Sequence, residues 1–114
     1  MALLTAVEVK ELEAKHGDLL VINVIDGADV SLVFKAASAS HWRRLNAADK
    51  RITAGDDASA VVPELIAREL LVHPSKTDFD AIRDEAPWIA ENAGRALVGR
   101  VGQKFKASVG ESSP

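Results

Sequence analysis

The sequence predicts a small α+β domain, an N-terminal β-hairpin packed against four to five mostly short α-helices. Three observations predict it. Two runs rich in β-branched residues, 19–25 and 30–35, flank Asp26-Gly27, a strong short-range hairpin signal. Downstream, apolar residues recur at helical spacing rather than in alternation. Pro63, Pro74 and Pro87 then cut the helical half into short pieces.

Bulk properties narrow the class. A chain of 114 residues reads as one domain, with residues 1–105 as its body and residues 106–114 as an unstructured tail. Hydrophobic residues make up 47%, enough for a real core. Aromatics are confined to Trp42, Trp88, Phe34, Phe79 and Phe105, so Leu, Val, Ile and Ala must fill most of that core. The net charge of −3, with acids and bases intermixed, argues against a general affinity for polyanions. With no cysteine, disulfides and thiolate metal sites are excluded. No basic segment followed by an apolar core stands at the start, and no apolar run approaches the ~20 residues of a membrane span. The expectation is a cytoplasmic protein with no membrane contact.

The elements follow in order. Thr5 and Glu8 have the spacing of a capping box, and Gly17 suits a helix stop, so a short helix lies between them. The first strand, Leu19 to Ile25, is apolar on nearly both faces. Its second face is either covered by helices or a contact surface. In the second strand Val30, Leu32 and Phe34 share one face, and Ser31 and Lys35 the other. Ser38 or Ser40 caps the next helix, where Trp42, Leu45, Ala48 or Asp49, and Ile52 form the apolar side. That helix ends near Ala54-Gly55. A further helix spans residues 59–72, with Val62, Leu65, Ile66, Glu69 and Leu70 along its stripe and Pro63 tolerated near its start. His73-Pro74 ends it. Thr77 caps a short helix that turns Phe79 and Ile82 to the core. Pro87 opens the last helix, whose apolar positions are Trp88, Ile89, Ala93, Ala96, Leu97, Val101 and Phe105. Gly94, Gly99 and Gly102 weaken it, so they either allow close packing or stop the helix near Gly99.

No catalytic or metal signature is present. His16, His41 and His73 lack the helical spacing of paired ligands and read as capping or surface residues. Asp78, Asp80, Asp84 and Glu85 read as a solvated helix face. Asp26-Gly27 lacks the other positions of a calcium loop. No nucleophile elbow or P-loop occurs. Gly99-Arg100-Val101-Gly102 mimics a backbone-clamping Gly-x-x-Gly loop, but too little chain follows to complete that fold. A helix-turn-helix across residues 64–85 would start its second helix with acids. The expectation is no enzyme and no cofactor.

Three stretches together resemble the small tail assembly chaperones of long-tailed bacteriophages. One is the hairpin from Leu19 to Phe34, with Asp26-Gly27 in its turn. The second is Phe34-Lys35 followed by small and serine residues and His41-Trp42-Arg43-Arg44. The third runs from Ala67 through Leu71-Val72-His73-Pro74 and Asp78-Phe79-Asp80-Ala81-Ile82 to Pro87-Trp88. Ala36-Ala37 departs from the family, which usually carries proline after the strand exit. The resemblance implies a non-enzymatic role: binding the helix-rich tape measure protein while tail tube protein polymerises around it in the host cytoplasm. Leu20, Ile22, Val24, Trp42, Trp88 and Leu97 are the expected core or contact residues, and self-association is the other use of such apolar surface. The rival readings are a small nucleic-acid-binding protein using Arg43, Arg44, Arg51 and Arg100, and a structural component of the virion.

Overall fold

The protein is α+β, and in the computed structural model its chain order is α1 (Ala6–His16), β1 (Leu19–Val24), β2 (Val30–Lys35) and α2 (Ala39–Thr53), then a 3-10 turn (Asp57–Val61), α3 (Val62–Leu70), β3 (Leu71–His73), α4 (Lys76–Glu85) and α5 (Pro87–Ser112). The structure describes residues 3–25 and 29–112, and side chains as far as residue 101. The Asp26-Gly27 turn therefore lies outside the described residues, as do the side chains of the expected tail.

Local chemistry sets the helix starts. The Thr5 amide donates to Glu8 Oε1 at 3.0 Å, and the Glu8 amide donates to Thr5 Oγ1 at 3.2 Å, which completes the capping box of α1. Gly17 ends that helix at φ +83°, where a side chain would be strained. Ser75, not Thr77, caps α4: its Oγ accepts the Asp78 amide at 3.2 Å, and Thr77 sits inside the first turn. Proline stands early in α3 and opens α5, where the missing amide costs little.

The sheet is antiparallel in the order β1-β2-β3. Leu20, Ile22 and Val24 stand opposite Phe34, Leu32 and Val30, and this face meets the helices. β3 corrects the expectation of an unbroken helix over residues 59–72. α3 stops at Leu70, and Leu71 turns to an extended backbone to pair with β2 beside Phe34. The physical reason is tertiary: the second edge of β2 has main-chain groups to satisfy, and Pro74 already forbids further helix. β2 thus becomes the central strand. Ser31, on the face opposite Val30, Leu32 and Phe34, is fully buried together with Val33. Its hydroxyl accepts the Leu4 amide at 2.9 Å and donates to Asn23 Oδ1 at 2.7 Å, so the buried group is satisfied.

The core lies between the sheet and the helices. Val30, Leu32 and Phe34 meet Leu45, Ile66, Ala67, Leu70, Phe79, Ala90, Ala93, Leu97 and Val98. Phe34 and Phe79 pack edge to face, with centroids 6.1 Å apart and planes at 83°. The stripe of α3 is Pro63, Ile66, Ala67 and Leu70, whereas Leu65 and Glu69, expected in it, are exposed. α5 continues past Gly99, and a Cβ on Gly94 would collide with the Pro63 carbonyl, so that glycine serves close packing of α5 on α3. Asp80 is no freely solvated acid: Arg68 grips both its oxygens, at 2.8 and 3.0 Å, and ties α3 to α4. Arg83 to Glu64 at 2.7 Å repeats that link, and Arg95 to Asp49 at 3.2 Å joins α5 to α2.

Candidate functional site

The six expected contact residues divide by burial. Leu97 is 1% exposed and belongs to the core, so it offers nothing to a partner in this fold. Leu20, Ile22 and Val24 are half-buried on the inner face of β1. Trp42 and Trp88 stand out from α2 and α5, at 46% and 62% exposure. The structure therefore spreads them over three elements instead of gathering them into one pocket.

Helical geometry explains the two tryptophans. α2 buries His41, Leu45 and Ala48, and Trp42 is one position, about 100°, off that stripe. Trp42, Arg43, Asn46, Ala47 and Lys50 line an open groove of about 380 Å³. An indole with two cations along the same groove suits a partner that carries an apolar surface beside an acidic or amide-rich one. α5 buries Ala90, Ala93 and Leu97, and Trp88 precedes Ala90 by two positions, which turns it outward. Ile89, beside it, packs against the core.

Sequence reasoning missed other exposed apolar residues. Val7, Ile25, Val61 and Leu65 are each more than two-fifths exposed. Val61 and Leu65 have the i, i+4 spacing that would have revealed a second stripe beside the buried one.

One polar cluster has the composition of a hydrolase triad and a different geometry. The Ser38 amide donates to His41 Nδ1 at 3.0 Å, and Ser38 Oγ lies 3.0 Å from the same nitrogen. His41 Nε2 faces Glu69 Oε1 at 3.3 Å. Because Nδ1 accepts a backbone amide, the proton sits on Nε2 and is donated to Glu69. The acceptor site that would take a serine proton is already filled by the helix cap, so the cluster fastens the start of α2 to α3. Arg44 donates to Glu69 Oε2 at 2.7 Å, and this bond, followed by that of His41, holds the Glu69 carboxyl below the usual carboxylate range.

A second groove, about 470 Å³, lies between α1 and β3 and is lined by Leu4, Glu8, Glu11, Leu12, Ala14, Lys15 and His73. α1 buries none of its residues, so it is the most loosely attached helix. The Thr5 amide and hydroxyl lower the pKa of Glu8.

The arginines of the nucleic-acid reading do not act alike. Arg44 is committed to Glu69, Arg43 and Arg51 are exposed on α2, and Arg100 lies on α5 beside Ala36, Ala37, Leu97 and Val101. Among the described residues, no group of His, Asp and Glu is arranged to hold a metal ion. No described helix is long and apolar enough to cross a membrane. Comparison with protein-family models, with curated proteins and with solved structures finds no match to this chain.

Proposed function

We propose that this chain is a non-enzymatic assembly chaperone of bacteriophage tails. It binds the helix-rich tape measure protein by hydrophobic contact, keeps it soluble, and hands it to tail tube protein in the host cytoplasm. One observation carries the reading beyond the resemblance: both tryptophans of the chain stand exposed, one on α2 and one on α5. Exposed indoles are the side chains that contribute most at protein–protein contacts. Grooves beside such helices accept an amphipathic helix through anchors at i, i+3, i+4 and i+7. The cations beside Trp42 steer that contact and keep the uncovered surface in solution.

The test is co-expression with the longest helical tail protein encoded beside it, followed by size-exclusion of the soluble fraction. Co-elution is expected, with the client insoluble alone. Trp42→Ala and Trp88→Ala should each reduce co-elution while leaving the circular dichroism spectrum unchanged. A client that is soluble alone and never co-elutes would end this reading. A salt series with polynucleotide, and Arg43→Glu with Arg51→Glu, then addresses the nucleic-acid alternative. Immunodetection in finished particles separates a chaperone, which leaves, from a structural component, which stays.

A further inference from the structure

The two edges of the sheet are protected very differently. β3 is three residues long, and Pro74 follows it directly. Shortness and proline are two of the devices that stop a sheet edge from recruiting another strand. β1 has neither. It spans six residues, Leu-Leu-Val-Ile-Asn-Val, with no proline and no charge, and among the described residues it pairs with β2 alone. Its residues are half-buried except Asn23, so its apolar rows stop at the edge without being covered. Ile25, just beyond it, is 68% exposed. No β-bulge interrupts the β1–β2 register, so the edge is regular along its length.

Main-chain donors and acceptors along such an edge are completed by an extended strand and not by a helix. We infer that a second copy of this chain supplies that strand, pairing antiparallel with β1 about a two-fold axis at Val21 to give a continuous six-stranded sheet. Charge and side-chain parity choose both occupant and register. The chain is acidic overall, with 17 acids against 14 bases, yet the β1 strip carries none of that charge, so repulsion between copies does not act there. In an antiparallel pair, opposite residues share a face, so a symmetric axis must fall on a residue. An axis on Val21 sets Leu20 opposite Ile22 on the inner face, which extends the apolar row of one core into the next. Val21 then meets itself on the outer face, the one it shares with Val33. Such an isologous contact closes at two copies. Self-pairing does not depend on what else the chain binds.

Sedimentation equilibrium of the full chain, from micromolar to about 1 mM, is the direct test. The expected result is a dimer at twice the chain mass. Val21→Lys puts two ammonium groups on the axis without touching the inner face, and should give a folded monomer. Mixing Val21→Lys with Val21→Glu should restore a dimer. The chain has no cysteine, so Val21→Cys is a clean reporter. Opposite Cα atoms about 4.5–5.5 Å apart are within disulfide reach, and it should cross-link without reductant where Trp88→Cys does not. A wild-type monomer at every concentration overturns the proposal, even if it captures another protein through β1. So does a dimer that survives Val21→Lys, or one that cross-links at position 88 and not at 21. Should Val21→Lys fail to fold, the wild-type mass and the Val21→Cys cross-link still decide. A monomer that co-elutes with the tail client would end self-pairing and leave the chaperone reading standing.

Discussion

Gly94→Ala should destabilise the fold, although glycine-to-alanine changes in a helix ordinarily stabilise it by about 1 kcal/mol. The difference lies in what the added methyl meets. Gly94 is buried in α5, and a Cβ there would fall on the carbonyl oxygen and carbon of Pro63 in the first turn of α3. Both are backbone atoms and cannot rotate away. Relief requires α5 to retreat from α3, which loosens Ala90, Ala93 and Leu97 from Ile66 and Ala67. Overpacking of this kind costs about 1–3 kcal/mol, and the large overlap places Gly94 at the upper end. Against a propensity gain of about 1 kcal/mol, the net loss is about 2 kcal/mol. For a chain of this size that lowers Tm by about 8 °C. Gly99→Ala is the internal control: no atom lies within 4 Å of the added methyl, so only the propensity gain remains. Its Tm should rise by about 4 °C. Thermal melts followed by far-ultraviolet circular dichroism, with urea titrations for ΔG, measure both. A Gly94→Ala protein as stable as the Gly99→Ala protein would refute the close approach of α5 to α3.

Two further outcomes follow from the core and the ion pairs. Phe79→Ala should cost about 3–5 kcal/mol in urea unfolding. A double-mutant cycle with Phe34→Leu should return a coupling of about 0.5–1.5 kcal/mol, and zero coupling would remove the edge-to-face contact from the account. Stability should also fall in acid. Arg68 depresses the Asp80 carboxyl, and Arg44 the Glu69 carboxyl, chiefly by hydrogen bonding. The folded state therefore binds protons less readily than the unfolded one. The contribution is complete above the ordinary values of 3.8 and 4.5, and is lost as pH falls through the lower folded values. Both pairs are partly exposed, so the effect is small and weakens with salt. Denaturant midpoints between about pH 7 and pH 3 measure it, and a profile unchanged by Asp80→Asn would show that the Arg68 bond adds nothing.

The hairpin, the helix starts at Ala6 and Pro87, and the general α+β plan were legible because local chemistry dictates them. Alternation, a capping box and a proline each act within a few residues. β3 was not legible for the opposite reason. Leu71, Val72 and His73 continue the apolar pattern of α3, and only the free edge of β2, far back in sequence, makes them a strand. The same long-range cause buries Ser31, whose partners Leu4 and Asn23 come from other segments. At α4 the sequence reading put the cap at Thr77, whereas Ser75, directly after Pro74, takes it. His41 was readable as a cap, but its second partner, Glu69, lies on another helix. The contact residues were readable only as apolar. Burial separates Leu97 from Trp42 and Trp88, and burial is a property of the assembled fold.

The uncovered surfaces differ in kind, and that difference limits what each can bind. The free edge of β1 offers main-chain groups in a straight row, which only another extended strand can satisfy. Trp42 and Trp88 offer side-chain surface on α2 and α5, which suits a helix or loop and cannot complete a sheet. The two modes draw on different atoms, so pairing through β1 does not use up the indoles. A pair would instead present two copies of each tryptophan surface to one elongated client. Linked sites raise avidity by about 10²–10⁴ when the geometry lets both engage. Weak contacts at a single indole groove would then suffice to hold a long helical partner, and each would still release easily. That combination is what a transient holder needs, since tight binding at one site would block the hand-over that the proposed role requires.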